Sequence, residues 1–552
     1  MQKGGRPRDP IWAGFEDSLD KTKVKCKNCH SLVSSKADRL KTHIKKCSAS
    51  ESREAVSVRD ITGSLQQLSV PSAPKPVQQS MWGHVTSTPG VTKEKIDLTV
   101  AEFVYGCNLP FSVVEHPLFK AMVESLRPGY KPPTRKTLGS TLLDRTHTKL
   151  QSSMKAKLEG KIVTMQQDGW STLHNDPVIA TSVTCEDNGY FIDAQYTGDN
   201  HKNADYCKEL LVKSKAHAEE TYGCHVRTVV TDNASNMAKM REALQQEDKN
   251  LIAYGCLAHW LNLLGNDITP QATIKHVVEI NKYFRNHHVP SALLNACQGS
   301  IRPQLPGDTR WKSQLTSIDS YTKNRVFMMK IIQEKPDDID AKIQKKVLDV
   351  RVYRQVHALA EQLRPVSIAL DKAQADSTTL ADAYSIMKNL MYESLLAPHR
   401  EDVRRRRNKA ILPCHMVAYM LHPNYSGVGM DLQDVETAKD WLMELNPEYL
   451  AAAISFQAEA TPYPKSFFQP AARTMKPDTW WKAVGESCVL PDGFVDLMIT
   501  LHVATASSAS LERIFSTFGL VITKLRNRLG LQKAQKLVFC YRMLRGPTEL
   551  DY

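Results

Sequence analysis

The spacing of apolar positions changes several times along the chain, and each change marks an element. KIVTMQQDGWS is a strand-like run ending in Asp168, and DPVIATSVTC and GYFIDAQY supply two further strands joined by the turn signal EDNG. NADYCKELLVKSKAHAEETYG has helical spacing. HVRTVVTD then reads as a fourth strand ending at Asp232, after which the small polar residues of NASNM open a helix. Upstream, IDLTVAEFVYGCNLPFSVVEHPLFKAMVESL is helical in period, broken by Pro110 and Pro117, with a turn at RPGYKPP. From Trp311 to about Pro491 the pattern is mainly helical, as in DAKIQKKVLDVRVYRQVHALAEQL. Two apolar stripes close the chain: Leu511, Ile514, Phe515 and Phe518, then Ala534, Leu537, Val538 and Tyr541.

Composition adds a soluble, folded character: 552 residues, 42% hydrophobic and 24% charged. No run of about 18 apolar residues occurs, and the polar start MQKGGRPRDP is unlike a secretory signal, so the expectation is a protein inside the cell with no membrane partner. Residues 49–92, rich in Ser, Pro and Gln as in SVPSAPKPVQQS, read as a tether. The net charge is +13, of which residues 1–47 supply +7 from 12 Lys/Arg against 5 Asp/Glu. A basic end of this kind suits a nucleic acid, although a solvated charged face has the same signature.

The 12 cysteines are too sparse for a disulfide framework, and only one cluster has ligand spacing. In VKCKNCHSLVSSKADRLKTHIKKC, Cys26, Cys29, His43 and Cys47 follow C-x2-C-x13-H-x3-C. Two thiolates on a knuckle and a His/Cys pair one helical turn apart can close a tetrahedron around Zn2+, with Leu40 and Ile44 as the helix's apolar face. The metal then supplies a core that so short a module lacks. His30 is a rival ligand, but it directly follows Cys29. With Trp12 and Phe15 in IWAGFED ahead of the knuckle, residues 1–48 resemble a BED-type zinc finger, a DNA-binding module. Lys36, Arg39, Lys41, Lys45 and Lys46 are its candidates for phosphate or base contacts.

The order of three strands, a helix and a fourth strand has a chemical consequence. A mixed sheet whose first and fourth strands lie side by side, as in the ribonuclease-H-like arrangement, brings Asp168 and Asp232 together across 64 residues of sequence. Adjacent carboxylates repel unless cations sit between them, which makes such a pair a holder for Mg2+ or Mn2+. The competing reading of Asp232 is an N-cap for the helix that follows it.

GCLAHWLNLLGND carries Cys256 and His259, GDTRWKS carries Arg310 and Trp311, and far downstream stands SSASLERIFSTFGLVITKLRNRLGLQKAQKLV. Together these resemble the hobo–Activator (hAT) superfamily of DNA transposases and their domesticated relatives, over roughly residues 93–546. The resemblance implies a third acid, Glu512, 280 positions beyond Asp232, and a catalytic triad of Asp168, Asp232 and Glu512 with Mg2+ or Mn2+. It implies an α/β multidomain fold: a small zinc finger, a helical DNA-binding or dimerisation region (93–160), a ribonuclease-H-like core (161–310), an all-α insertion (311–490) and completion of the core with a dimerisation region (491–552). It also implies cut-and-paste transposition in the nucleus, through hairpinned flanking DNA, by a homodimer or higher homo-oligomer acting on double-stranded DNA at terminal inverted repeats. The alternative is a domesticated DNA-binding regulator that does not cut.

Several residues keep two readings. His259, with Cys256, either contributes to the active site and DNA contacts or is part of a buried pair. Arg310 and Trp311 match a family position for stacking on an extruded base, or form a core tryptophan capped by arginine. Arg404 to Arg407 suit a DNA backbone, a nuclear import signal or a solvated helix end. TWWKAVGES, with Trp480 and Trp481, resembles the start of the dimerisation region, and the stripe from Ala534 to Tyr541 packs either on the core or on a second subunit.

Overall fold

In the computed structural model, residues 14–17, 22–35, 39–44, 47, 90–172, 175–198, 202–307, 311–523, 526 and 529–546 are described. Trp12, Lys36, Lys45, Lys46, Arg310 and nearly all of the tether lie outside them. The chain divides into two units, Met1–Ser80 and Met81–Tyr552. In the first, strands β1 (Phe15–Asp17), β2 (Lys23–Cys26) and β3 (Leu32–Ser34) form an antiparallel sheet in that order. Phe15, Val24, Cys26 and Leu40 make its small core, with Val33 and Cys47 packed against them. Ile44, expected beside Leu40, is instead exposed, so the short helix presents a narrower apolar face than its spacing suggests.

The second unit begins with helices α1 (Gly90–Gly106) and α2 (Leu143–Leu158). Strands β4 (Ile162–Ser171), β5 (Pro177–Cys185) and β6 (Asn188–Tyr196) follow, then α3 (Ala204–Tyr222), β7 (His225–Thr231), α4 (Ser235–Glu247), β8 (Ile252–Gly255) and α5 (Leu257–Ile268). The five strands form one mixed sheet in the order β6-β5-β4-β7-β8, antiparallel between β4, β5 and β6 and parallel from β4 to β7 to β8. The first and fourth strands are thus neighbours. Residues Val163 to Gln167 of β4 are all buried, as a central strand covered on both faces requires.

The hairpin at EDNG turns on Glu186 and Asp187, both with positive φ (48° and 66°), between the paired residues Cys185 and Asn188. Gly189 is needed for a different reason. A Cβ there would lie 2.6 Å from the Ser510 side chain, so the glycine lets a C-terminal helix sit close on the sheet.

Helices predominate from 311 onward, as the periodicity predicts: α6 (Lys312–Glu334), α7 (Val350–Ala373), α8 (Leu380–Tyr392), α9 (Arg400–Ala410), α10 (Pro413–Met420), α11 (Leu432–Leu445), α12 (Pro447–Gln457), α13 (Pro477–Ser487) and α14 (Phe494–Val503). They build one large apolar core; Trp480 and Trp481 are fully buried in it against Phe456. The last two helices, α15 (Ala509–Val521) and α16 (Leu531–Arg545), return to the core of the sheet and α1–α3. Ala534, Leu537 and Val538 are buried there and Tyr541 is buried as well, so the closing stripe packs within this chain. Among the described residues, no helix is long and apolar enough to cross a membrane.

Candidate functional site

Residues two apart on a strand share a face. Thr164, Gln166 and Asp168 therefore share one face of β4. Because Thr164 pairs with Thr228 and Gln167 with Thr231, Asp232 follows β7 one step past its last pair, alongside Asp168. β4 does not stop at Asp168: its pairing with β5 runs on to Ser171, while its pairing with β7 ends at Gln167. The first acid thus stands where the parallel ladder opens. Asp232 is not an N-cap side chain; α4 begins after Ala234, which has no side-chain cap, and among the described residues the Asp232 carboxylate accepts the Ala234 N–H alone, at 3.1 Å.

The third acid arrives through a polar seam. Gln166 Nε2 donates to Thr184 Oγ1 (2.6 Å) and to the Ser507 carbonyl (3.3 Å), and its Oε1 accepts from Ser182 Oγ (3.1 Å) and Ser510 Oγ. Thr164 Oγ1 accepts the Thr505 N–H at 3.1 Å, and Tyr254 donates its hydroxyl hydrogen to the Thr505 carbonyl at 2.8 Å. On the β8 side, the Leu257 N–H donates to the Ala506 carbonyl and the Ser508 N–H to Cys256 Sγ (3.4 Å). A buried amide with every donor and acceptor used rigidifies what it joins. Residues 505–510 are held to the sheet in this way, and the first turn of α15 then carries Glu512 over the acid face. Leu511, Ile514 and Phe518 are buried beneath it, while Phe515 stacks on Trp170 with ring centroids 5.9 Å apart.

The electrostatics agree with convergence. Burial pushes the Asp168 carboxyl up to about 7, and the charges of Asp232 and Glu512 push in the same direction, against the Gly169 N–H and the Lys202 ammonium. His259, on α5, is lowered by burial, while Asp232 and Glu512 pull it back up. One set of side chains therefore shares one field: Asp168, Asp232, Glu512 and His259. All three acids are partly exposed. An oxygen-only, surplus-negative donor set fits a hard divalent cation. The acids are not packed as tightly as the finger's ligands, since the described residues show no other group of three or more such side chains within 4.8 Å.

Around the acids, two residues escaped the sequence reading. Arg241 donates to Thr231 Oγ1 and to the Asp232 carbonyl, both at 2.6 Å, and so fixes the backbone that carries the second acid. Gln166 was visible only as an unexplained polar pair, Gln166 and Gln167, in a strand interior; such a pair inside a buried strand is a usable signal for a seam.

Other expectations need correction. Trp311 is buried, its Nε1–H donates to Thr269 Oγ1 at 3.0 Å, and its ring lies so close on Gly265 that a Cβ there would be 2.2 Å away. It is a core residue without a face for a base. Cys256 is buried as part of the seam, separate in role from His259. The arginine run divides: Arg404 and Arg405 are exposed, as a solvated helix end would be, though paired with Glu401 (2.5 Å) and Asp267 (2.9 Å), while Arg406 is held by Asp267 (2.6 Å) and Arg407 is buried against Asp434.

In the first unit, the ligand atoms of Cys26, Cys29, His43 and Cys47 all lie within 4.8 Å of one another, and Cys29 Sγ is 3.2 Å from His43 Nε2. Hydrogen bonds from Ser31 hold the Cys29 thiol down to about 6, while burial and the neighbouring thiols raise Cys47 to about 11. Three sulfurs and one imidazole at this spacing fit a tetrahedral zinc. His30 has positive φ, is exposed and stays outside the group, and Arg39 and Lys41 are exposed.

Comparison with known proteins gives two matched regions. Residues 133–283 match a domain of unknown function (DUF659), and residues 463–544 match the hAT family C-terminal dimerisation region. The "Putative AC transposase" of Zea mays is 25% identical over 195 residues, 32% of this chain and 23% of that protein. The "Putative AC9 transposase" of Zea mays is likewise 25% identical, over 22% of its length. A third relative, "Putative transcriptional regulator tpeD" of Talaromyces stipitatus, is 23% identical over 188 residues, 30% of this chain and 21% of its own length. The chain thus spans less than a quarter of the length of the relatives it matches.

Proposed function

Because the chain is related to the hAT superfamily of transposases, we propose that it is a metal-dependent DNA transposase that excises and rejoins DNA at terminal inverted repeats. One observation carries the reading: Asp168 and Asp232 stand side by side where the parallel ladder of β4 and β7 opens, and their charges meet there with that of Glu512, 344 residues beyond Asp168 in sequence. The strand order β6-β5-β4-β7-β8, with a helical insertion before α15, supports a ribonuclease-H-like core.

Asp168, Asp232 and Glu512 would hold Mg2+ or Mn2+, which would supply charge neutralisation and activation of a water or 3′-hydroxyl at a phosphodiester. The chain's own part is positional. Asp168 and Asp232 are fixed by register, Arg241 locks the Asp232 backbone, and the Gln166 seam sets Glu512. His259, kept neutral by burial, is placed to accept or donate a hydrogen bond at the same cluster. A BED-like finger with zinc on Cys26, Cys29, His43 and Cys47 would supply DNA binding through Arg39, Lys41 and the neighbouring lysines, in a nuclear homodimer or higher homo-oligomer. Joining two element ends requires more than one subunit, and repeated weak fingers gain by avidity.

The test is strand cleavage by the full chain with Mg2+ on a duplex bearing its own element ends, beside Asp232→Asn. Nicking by the parent and none by the variant supports the enzyme. Binding without nicking by both supports a DNA-binding regulator instead, a second reading favoured by the similarity to the putative transcriptional regulator of Talaromyces stipitatus.

A further inference from the structure

Helix α9 carries its arginines on two sides. Arg405 and Arg406 turn to α5, where both meet Asp267, and the Arg406 guanidinium lies 5.8 Å from the centre of the Trp260 ring, next in sequence to His259. Arg400, Arg404 and Arg407 are spaced by four and then three positions, so they share the other side. With Lys388, Met391 and Tyr392 of α8, and Asp431 just before α11, they line a cleft of about 380 Å3.

Four cations from two helices thus line one cleft, and they are not equally satisfied. Arg407 is matched by Asp434 and Arg404 by Glu401. Lys388 Nζ donates to neutral oxygens, the Tyr419 hydroxyl at 2.6 Å and the Val428 carbonyl at 2.8 Å. Arg400 makes no hydrogen bond or ion pair among the described residues, although it is half-buried and its Nη1 is shielded from water. Asp431, the one acid among the lining residues, accepts the Tyr392 hydroxyl at 3.1 Å and is too little to balance Lys388 and Arg400 together. A guanidinium nitrogen removed from water without an acceptor is costly and rare in native structures, and a bound anion would complete it.

We propose that this cleft binds a phosphate of the DNA backbone, at a site separate from the finger and from the acid cluster. The Arg400 guanidinium offers a fork of N–H donors to two phosphate oxygens, and Lys388 adds a point charge beside it. Both stand on helices of a packed core, and a phosphate contact reads no base, so the site holds DNA of any sequence. The chain's net charge of +13 favours DNA over an acidic protein as the occupant. The width of α9, roughly 10 Å, lies between the cleft and Trp260, close enough for one duplex to reach both the cleft and the acids. The inference rests on the reading of the chain as a DNA-binding protein given above.

The experiment uses the full chain, its Arg400→Ala and Arg400→Lys variants, and Arg354→Ala as a control that removes an equal charge from an exposed position on α7. The first readout is the salt dependence of binding to a duplex of arbitrary sequence in non-catalytic Ca2+. Arg400→Ala should lower the slope of log affinity against log salt by about 0.9, the share of one phosphate contact, while Arg400→Lys and Arg354→Ala keep the parent slope. The second readout is melting without DNA, in pyrophosphate or poly-glutamate. If the slopes of parent and Arg400→Ala agree, and either anion protects the parent from melting but not Arg400→Ala, the cleft serves a small phosphorylated ligand or an acidic protein, and the assignment to DNA is overturned. Equal slopes with neither anion protecting remove the cleft and leave the proposed function standing. A parent that binds no duplex removes both.

Discussion

The finger and the acid cluster are two candidate metal centres built on opposite plans. The finger draws its four ligands from 22 consecutive positions and holds their atoms within 4.8 Å of one another. The acid cluster draws three carboxylates from Asp168 to Glu512 and leaves them partly exposed and farther apart. In the first, a bound metal would complete a core of only a few apolar side chains, and the four ligands would need it in order to fold. In the second, two large apolar cores and a buried polar seam exist without it, and the fold imposes electrostatic strain that a cation would relieve. A structural site is thus one the metal organises; a catalytic site is one the protein organises for the metal.

The largest expected effect breaks the first half of that contrast. Stripping zinc with a chelator, or Cys26→Ser, should cost the finger about 10 kcal/mol or more and unfold it, while the melting of the Met81–Tyr552 unit is unchanged. Proteolysis at residues 14–47 before and after chelation measures it; equal resistance would show that metal is not the core.

The second prediction concerns strain in the acid cluster. Asp168 has a folded-state pKa near 7, above its ordinary value of 3.8, so the folded chain holds a proton that the unfolded chain has lost between those limits. Stability from this group is therefore fully present below pH 4, declines as pH rises to 7 and is level above, a loss of about 4 kcal/mol. In metal-free buffer at pH 8, Asp168→Asn should be more stable than the parent by up to about that amount, and Mg2+ should close the gap by stabilising only the parent. Denaturant titrations at pH 4 and pH 8 give the comparison; a variant less stable at pH 8 would contradict the strain.

A smaller effect tests the seam. Gln166→Leu leaves the Ser507 carbonyl and the Ser510 hydroxyl without their buried partner, and should cost about 3 kcal/mol and weaken divalent-ion binding, although Gln166 touches no ion. Loss of stability with unchanged Mn2+ affinity would show that Glu512 is placed by its apolar stripe alone. Smallest is Arg241→Met, at about 2 kcal/mol, which should loosen Asp232 and lower Mn2+ affinity without touching the finger's zinc.

The same contrast explains what the sequence made legible. The finger's ligands were readable because their spacing is local, and the strands because β-branched runs end at polar turns. Asp168 and Asp232 followed from strand order once β4 and β7 were placed side by side. Glu512 was reachable only through the signature around SASLERIF, since no local period joins residues 280 positions apart. Partners equally distant hid the role of the arginine run: Arg405 and Arg406 find Asp267 about 138 residues away, and no helix wheel contains that residue. Trp311 was ambiguous for a related reason. Aromatic burial depends on what lies opposite, here Gly265, and a tryptophan in isolation reads equally as core or platform.

The central claim is that three distant carboxylates form one divalent-ion site. It is tested most directly by titrating Mn2+ into the full chain, with zinc in place, and comparing the parent with Glu512→Gln. The account predicts saturable binding by the parent, weakened at least ten-fold by the loss of one charged ligand. Equal affinity in the two proteins would leave the glutamate outside the site and contradict it.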